Sequence, residues 1–576
     1  MPREPHRRFL FRSAGRRMQR KPPEIIDMEV DKLEELLRRA EGEAFEREDY
    51  ETIRAVLESY YYVTHLIGKK NTTIDRLRKL LFGAATEKTA DVVGRRDEEP
   101  AAEPSAASRS DGTQSPTKEP SPVRRQGHGR QGADAYPGAT KIVVPHESLQ
   151  PGDSCSVCRR GTVYEVARPG VLVRFVGRAP LAATIYQLQK LRCNLCGKTF
   201  TAQAPVDVGA EKYDATVASM IGLLKYGSGL PFNRLDGLQR NLEVPLPAST
   251  QWDIVHAPVP KLVPAYEELI RQAAQGDVLH NDDTTVKILE LMGARAQRRA
   301  LAESAANAEP QRRVDERSGL FTSGIVATRG GRRIALFFSG RQHAGENLKD
   351  VLRNRAAELP KPIQMCDALS RNLPGELETI VAHCLAHGRR QFVEVSGRFP
   401  QECRYVLEAL EVIYRNDALT RERHLSPAER LEFHQAESGP TMEQLHGWLT
   451  QQRDEKRVEP NSALGAAISY LVKHWEKLTL FLRKPGAPLD NNLCERALKK
   501  AILHRKNALF YKTQNGARVG DLYMSLIHTC ELCAANPFDY LNQLQRHAAA
   551  MAAAPENWMP WNYRAALTTV PSTPTN

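Results

Sequence analysis

The chain is 576 residues long and carries a formal net charge of +12. That length exceeds what one hydrophobic core organises, so several domains are expected, and the basic excess favours a polyanionic partner without naming one. No apolar run is long enough to span a bilayer and no apolar signal core follows the first residues, which excludes membrane and secreted classes and leaves a soluble, cytoplasmic chain as the expectation.

In chain order, residues 1–27 read as a disordered basic arm, since Glu4 is the only acid before Lys21. Residues 28–90 read as a helical, leucine-zipper-like region. Ile53, Tyr60, Ile67, Ile74 and Leu81 recur every seven residues, with Val56, Val63 and Leu77 alongside and Lys70 breaking the second seam. This spacing fits either a dimerising coiled coil or an intramolecular hairpin with Leu33, Leu36 and Leu37. Residues 91–140 form a flexible linker, because Val123 is the only large apolar side chain between Val93 and Tyr136.

Residues 141–205 carry Cys155-Ser-Val-Cys158 and Cys193-Asn-Leu-Cys196 around a strand-rich insert. Two such knuckles present four thiolates to one tetrahedral ion, so a four-cysteine zinc ribbon holding structural Zn2+ is expected. Cys530 and Cys533 form a third pair inside a helical pattern and read as core cysteines. Residues 206–265 suit a helix-turn-helix-like segment whose second helix starts near Ser249, or a plain helical connector.

Residues 266–515 change to strands: VLHNDDTTVKILEL, LFTSGIVATRG and RRIALFFSG, then a helical GENLKDVLRNRAAE and the strand KPIQMCDA. Three strands, a helix and a fourth strand are the order of an RNase H-like core, with one acid in the first strand and another ending the fourth. Asp282 and Asp367 hold those places. Asp283 competes with Asp282, but strand side chains alternate faces, so only one points into a site. The apolar spacing from about 385 to 488 is helical throughout, an all-helical insertion within an otherwise α/β multidomain chain.

Cys384 and His387 share a helix face at the start of this insertion. They read as a packed cysteine and a polar histidine in a supporting role, with Arg389 and Arg390 near DNA. After the insertion, Asp490-Asn491-Asn492 supplies capping residues for a basic helix that places Glu495 and Lys499 on one face, with Arg496, Arg505 and Lys506 beside them. Such cations suit phosphates. Asp282, Asp367 and Glu495 come from distant segments, and three carboxylates gathered in this way hold two hard divalent ions, Mg2+ or Mn2+, for cutting phosphodiester bonds. Residues 516–546 form a C-terminal helical module, and residues 547–576 read as a disordered tail.

From Ile53 to Leu544 the chain resembles the insertion-sequence sixty-six family of DDE transposases. The resemblance rests on RLRKLLFGAATEK, the zinc knuckles, LPFNRLDGL, HNDDT (similar to the family's HADET), CDALSRN, CLAHGRRQF and DNNLCERALKKAILHRKNALF. It departs at CDALSRN, where the family commonly has an aromatic after a glycine, and at the Arg-rich ARAQRRALAESAANAEPQRR. Aligning HNDDT with HADET makes Asp282 the first catalytic acid. The resemblance implies a transposase that binds terminal inverted repeats, cleaves and joins DNA strands, acts as an oligomer on DNA near the nucleoid, and draws on companion proteins of its element. The alternatives from other classes are a non-catalytic DNA-binding accessory protein and an RNase H-like nuclease or resolvase.

Overall fold

The computed structural model describes residues 211–293 and 317–569, together with 143–144, 148–154, 158–164, 179–192, 199–205, Thr89 and Val92. The basic arm, the heptad from Ile53 to Leu81, the Arg-rich segment 294–316 and the candidate zinc ligands Cys155, Cys193 and Cys196 lie outside the described residues. Chain contacts separate into two units, Met1–Arg96 and Asp97–Asn576, and the sheet with its helices belongs to the second.

Ahead of the sheet, β1 (Lys190–Arg192) and β2 (Thr199–Thr201) pair antiparallel with Leu191 opposite Phe200. An isolated antiparallel bridge joins Ser154 to Thr162. Cys158 is exposed.

Four helices follow: α1 (Ala215–Gly222), α2 (Phe232–Asn241), α3 (Ala248–His256) and α4 (Val259–Ala274). The α3 start at Ala248 lies one residue from the expected second helix of the helix-turn-helix. In α4, Leu262, Ala265, Leu269 and Ala273 form a buried stripe at helical spacing.

The central sheet has five strands: β3 (Val278–Thr285), β4 (Phe321–Arg329), β5 (Arg332–Gly340), β6 (Ile363–Cys366) and β7 (Ile380–His383). Their order is β5-β4-β3-β6-β7, with β3 antiparallel to β4 and parallel to β6, and β6 parallel to β7. Four of these strands are legible in the sequence; β7 is four residues long and lacks a periodic pattern of its own. Helix α5 (Ala344–Leu352) crosses between β5 and β6.

After β7 every regular element up to the return is helical: α6 (Leu385–Val395), α7 (Pro400–Glu422), α8 (Pro427–Glu437), α9 (Gly439–Asp454) and α10 (Ala463–Lys473), then two short turns. Asp417 of α7 binds Arg430 at 2.7 Å and the fully buried His434 at 3.4 Å, both on α8. Arg430 also donates to the Ala487 carbonyl at 2.7 Å, tying the insertion to the segment that re-enters the core.

Two helices then close the core. Helix α11 (Asn492–Ala508) buries Cys494, Ala497, Leu498, Ala501 and His504 against β3 and β4. Gly324 permits this approach, since a Cβ there would fall 3.0 Å from the Leu498 side chain. Helix α12 (Gln514–Leu532) covers the outer strand β5. Its Asp521, Ser525 and Thr529, four residues apart, accept the β5 N–H groups of Ser339, Phe337 and Ala335 at 2.7, 3.0 and 3.1 Å. The edge therefore places its free donors on side chains, each bond worth about 1 kcal/mol.

The expectation of a disordered tail is corrected over residues 547–569. After α13 (Pro537–Arg546), α14 (Ala548–Ala553) and α15 (Tyr563–Thr569) bring Met551, Trp558, Met559 and Tyr563 into the core. Tyr540 donates to the Trp558 carbonyl and Tyr563 to Asp539, at 2.8 and 2.7 Å. The Ala-rich composition hid four anchoring side chains, each burying large apolar area.

Candidate active site

Strand alternation separates the two adjacent acids. Asp282 pairs in register with Gly324, the residue on which α11 rests, so its side chain lies on the α11 face. Asp283 pairs with Ser323, whose hydroxyl accepts from Asn347 of α5, on the opposite face. There Asp283 is held by His343 at 2.9 Å and Arg371 at 3.4 Å, and its side chain is only 2% exposed. It is a structural ion-pair residue joining β3 to α5.

Asp282 has no such cation. Its Oδ1 accepts the Asp283 N–H at 2.8 Å, and among the described residues no Lys, Arg or His forms an ion pair with it. Burial pushes its carboxyl up to about 7; the Asp283 N–H opposes this, and the charges of Asp367, Asp283 and Glu495 add to it. The charges of Asp367, at the end of β6, and Glu495, in the first turn of α11, thus reach Asp282 on β3, although the three carboxylates do not converge within 4.8 Å of one another.

Asp367 follows β6 directly. Its Oδ1 accepts from the Asn372 side chain and from Leu369 N at 3.3 Å. Asn372 is itself held, because its carbonyl accepts from Asn281 at 2.8 Å and from Gln364 at 2.7 Å. Gln364 also donates to Asn281 Oδ1 at 2.9 Å, and Thr379 donates to Gln364 at 2.7 Å. This closed network aims Asp367, and the sequence reading passed over it. Asn281 and Asn372 sit inside the HNDDT and CDALSRN blocks, where a polar residue expected to be buried was the available signal.

Glu495 lies in the first turn of α11, where the helix dipole favours negative charge. The helix is capped at Asn491 without a side-chain hydrogen bond, and Asp490, one residue earlier, accepts from the N–H and side chain of Asn492 at 3.1 and 2.7 Å. Asn491 binds His280 at 3.2 Å and the Asn281 carbonyl at 3.1 Å, fastening the start of α11 to β3. Burial lowers His280 to about 4, and it stays neutral.

The two parallel strands β6 and β7 end side by side, with Cys366 opposite His383. Asp367 and Cys384 therefore emerge at neighbouring strand ends, and His387 follows one turn into α6. His387 Nε2 lies 3.8 Å from Glu495 Oε1. Burial pushes the Cys384 thiol up to about 12, against the pull of the Asn491 and His387 N–H groups.

The expected cations divide. Arg496, Lys499 and Lys506 are exposed, and Arg389 and Arg390 are half-buried on α6. Arg505 instead commits its guanidinium to Thr284 Oγ1, Thr285 O and Thr285 Oγ1 at 3.0, 2.5 and 2.7 Å, bracing α11 against the end of β3.

A five-strand mixed α/β core in this order, with Asp282 on β3 and Asp367 directly after β6, is consistent with an RNase H-like fold. The chain belongs to the IS66 transposase family, whose description, Transposase IS66 family, matches residues 212–519. It is similar to the uncharacterized protein y4hP of Sinorhizobium fredii, 25% identical over 537 residues that cover 86% of this chain and 88% of the relative. The uncharacterized protein y4jD of the same organism is 32% identical over 190 residues, 32% of this chain and 36% of that one. No helix among the described residues is long and apolar enough to cross a membrane.

Proposed function

We propose that the chain is the DNA-cleaving and strand-joining transposase of an insertion sequence, with Asp282, Asp367 and Glu495 as its catalytic acids. The observation that supports this reading is a half-buried Asp282 that feels the charges of Asp367 and Glu495 and has no ion-pair partner among the described residues. Carboxylates left uncompensated in this way fit hard divalent ions, which favour oxygen ligands. Bound Mg2+ or Mn2+ would supply an activated water or 3′-hydroxyl and stabilise charge on the leaving oxygen.

The chain's own residues do the rest. Asn372 fixes the Asp367 carboxylate, and Asn491 with Arg505 fixes α11 on β3, so the acids are oriented before DNA arrives. Arg496, Lys499 and Lys506 offer exposed charges for backbone phosphates, with His387, Arg389 and Arg390 in support. Cys155, Cys158, Cys193 and Cys196 would hold a structural zinc, in a ribbon that binds the terminal repeats. Oligomers on DNA and companion proteins of the element belong to the same reading.

The test is strand nicking and joining on a duplex carrying the element's end, with Mg2+ or Mn2+, for wild type, Asp282→Asn and Glu495→Ala. Cleavage that leaves a 3′-hydroxyl and disappears in both variants is the expected result. Sequence-specific binding with no cleavage by any of them would replace the reading with a binding protein. Cutting of branched DNA without regard to end sequence would replace it with a resolvase. Separately, Cys193→Ser should lose zinc and end binding while the core stays folded; retained zinc would remove the ribbon.

A further inference from the structure

Cys384, His387 and Glu495 each bring one ligand-type atom within 4.8 Å of the other two. Two chain-distant elements make the cluster: the Cys-x-x-His at the start of α6 and the first turn of α11. It also holds a buried carboxylate oxygen without any hydrogen-bond partner among the described residues, Glu495 Oε1. Leaving such an atom unsatisfied costs about 1–3 kcal/mol, so a purely structural role leaves it unexplained. The 3.8 Å between His387 Nε2 and Glu495 Oε1 is too long for a hydrogen bond. It is close to the spacing of two ligands on one ion at about 2.0–2.2 Å each. Cys384 Sγ accepts the Asn491 N–H at 3.2 Å, which fixes the sulfur beside the start of α11.

We propose that Cys384, His387 and Glu495 form a three-ligand site for a thiophilic divalent cation of the zinc class. The donor set decides the class: sulfur and imidazole suit zinc and its soft neighbours, whereas Mg2+ and Mn2+ are held by oxygen. Three protein ligands leave a fourth position for water. Binding displaces the Cys384 proton to solvent. Glu495 Oε1 would bind this ion, which would fix the orientation of Glu495. The site shares Glu495 with the proposed catalytic centre, but its occupancy does not depend on cleavage.

Cobalt titration of metal-stripped, full-length protein in excess Mg2+ tests the site, because Mg2+ fills the oxygen sites and only thiolate-bound Co2+ gives a near-ultraviolet charge-transfer band. With Cys155, Cys158, Cys193 and Cys196 all changed to Ser, so that no ribbon thiolate remains, a weak single-thiolate band is expected, and adding Cys384→Ser should abolish it. His387→Gln, at a side chain 28% exposed and so tolerant of change, should weaken Co2+ binding at least about 10-fold with the fold intact by circular dichroism. An unchanged band and affinity in both Cys384→Ser and His387→Gln would overturn the site. If Cys384→Ser does not fold, His387→Gln decides alone. Asp282→Asn should lose nicking yet keep the band, so failure of the site and failure of the transposase reading are told apart.

Discussion

Asp282 and Asp417 are both largely buried aspartates, and their surroundings push them in opposite directions. Burial lifts Asp282 to about 7, with Asp367 and Glu495 adding to the effect. Burial also pushes Asp417 upward, but the His434 hydrogen bond with Arg430 and Arg421 outweighs it and holds the group at about 2. A carboxylate that secures structure arrives with its cations built in, while one that serves a ligand is left without them. The contrast separates two kinds of acid in one chain before any activity is measured.

The largest effect that would break the contrast is on activity. Asp282→Asn should reduce metal-dependent nicking by about 10³-fold or more. The same change should raise the melting temperature of the metal-free protein, since it removes a desolvated and repelled charge; a lower melting temperature would show Asp282 to be structural after all. Asp417→Ala should do the reverse, costing about 3–5 kcal/mol in denaturant unfolding by stranding Arg430.

The pH dependence of unfolding sharpens the same point. Because the folded value of Asp417, about 2, lies below its ordinary 3.8, its contribution is whole above pH 3.8 and lost as pH falls through about 2. Wild type minus Asp417→Asn should therefore show a stability difference that shrinks only in that acid window. A smaller effect comes from ligand binding: Mg2+ at about 100 times its dissociation constant should stabilise wild type by about 2.7 kcal/mol and leave Asp282→Asn unmoved in thermal melts. Smallest is Lys225, on the π-turn Leu223–Gly227, whose buried ammonium meets, among the described residues, His504 at 3.4 Å and the faces of Phe232 and Tyr226. Burial lowers it to about 8, and Lys225→Met should stabilise the protein by about 1 kcal/mol at neutral pH.

The long strands, α11 and the helical insertion were legible because apolar period and length agree there. The choice of Asp282 over Asp283 took a family likeness, and alternation then accounts for it: Gly324 and Ser323 send the two side chains to opposite faces. Strand β7 was missed because four residues carry no period, and with it the reason Cys384 lies beside Asp367. The Asn281–Gln364–Asn372 network was missed because hydrogen bonds between residues 83 and 91 positions apart leave no mark in local sequence. Arg505 looked like a phosphate ligand for the same reason, since nothing near it in sequence reveals Thr284 and Thr285.

The side chains of α12 that satisfy the outer strand have a consequence for synthesis. Ribosomes add about 5–20 residues per second, so β5 emerges roughly ten seconds or more before Asp521, Ser525 and Thr529 exist to cover it. During that interval its N–H groups are open to any other strand. A chain terminated just after Glu495 would own all three acids and still lack that cover, and its expected fate is aggregation rather than service as a shortened nuclease.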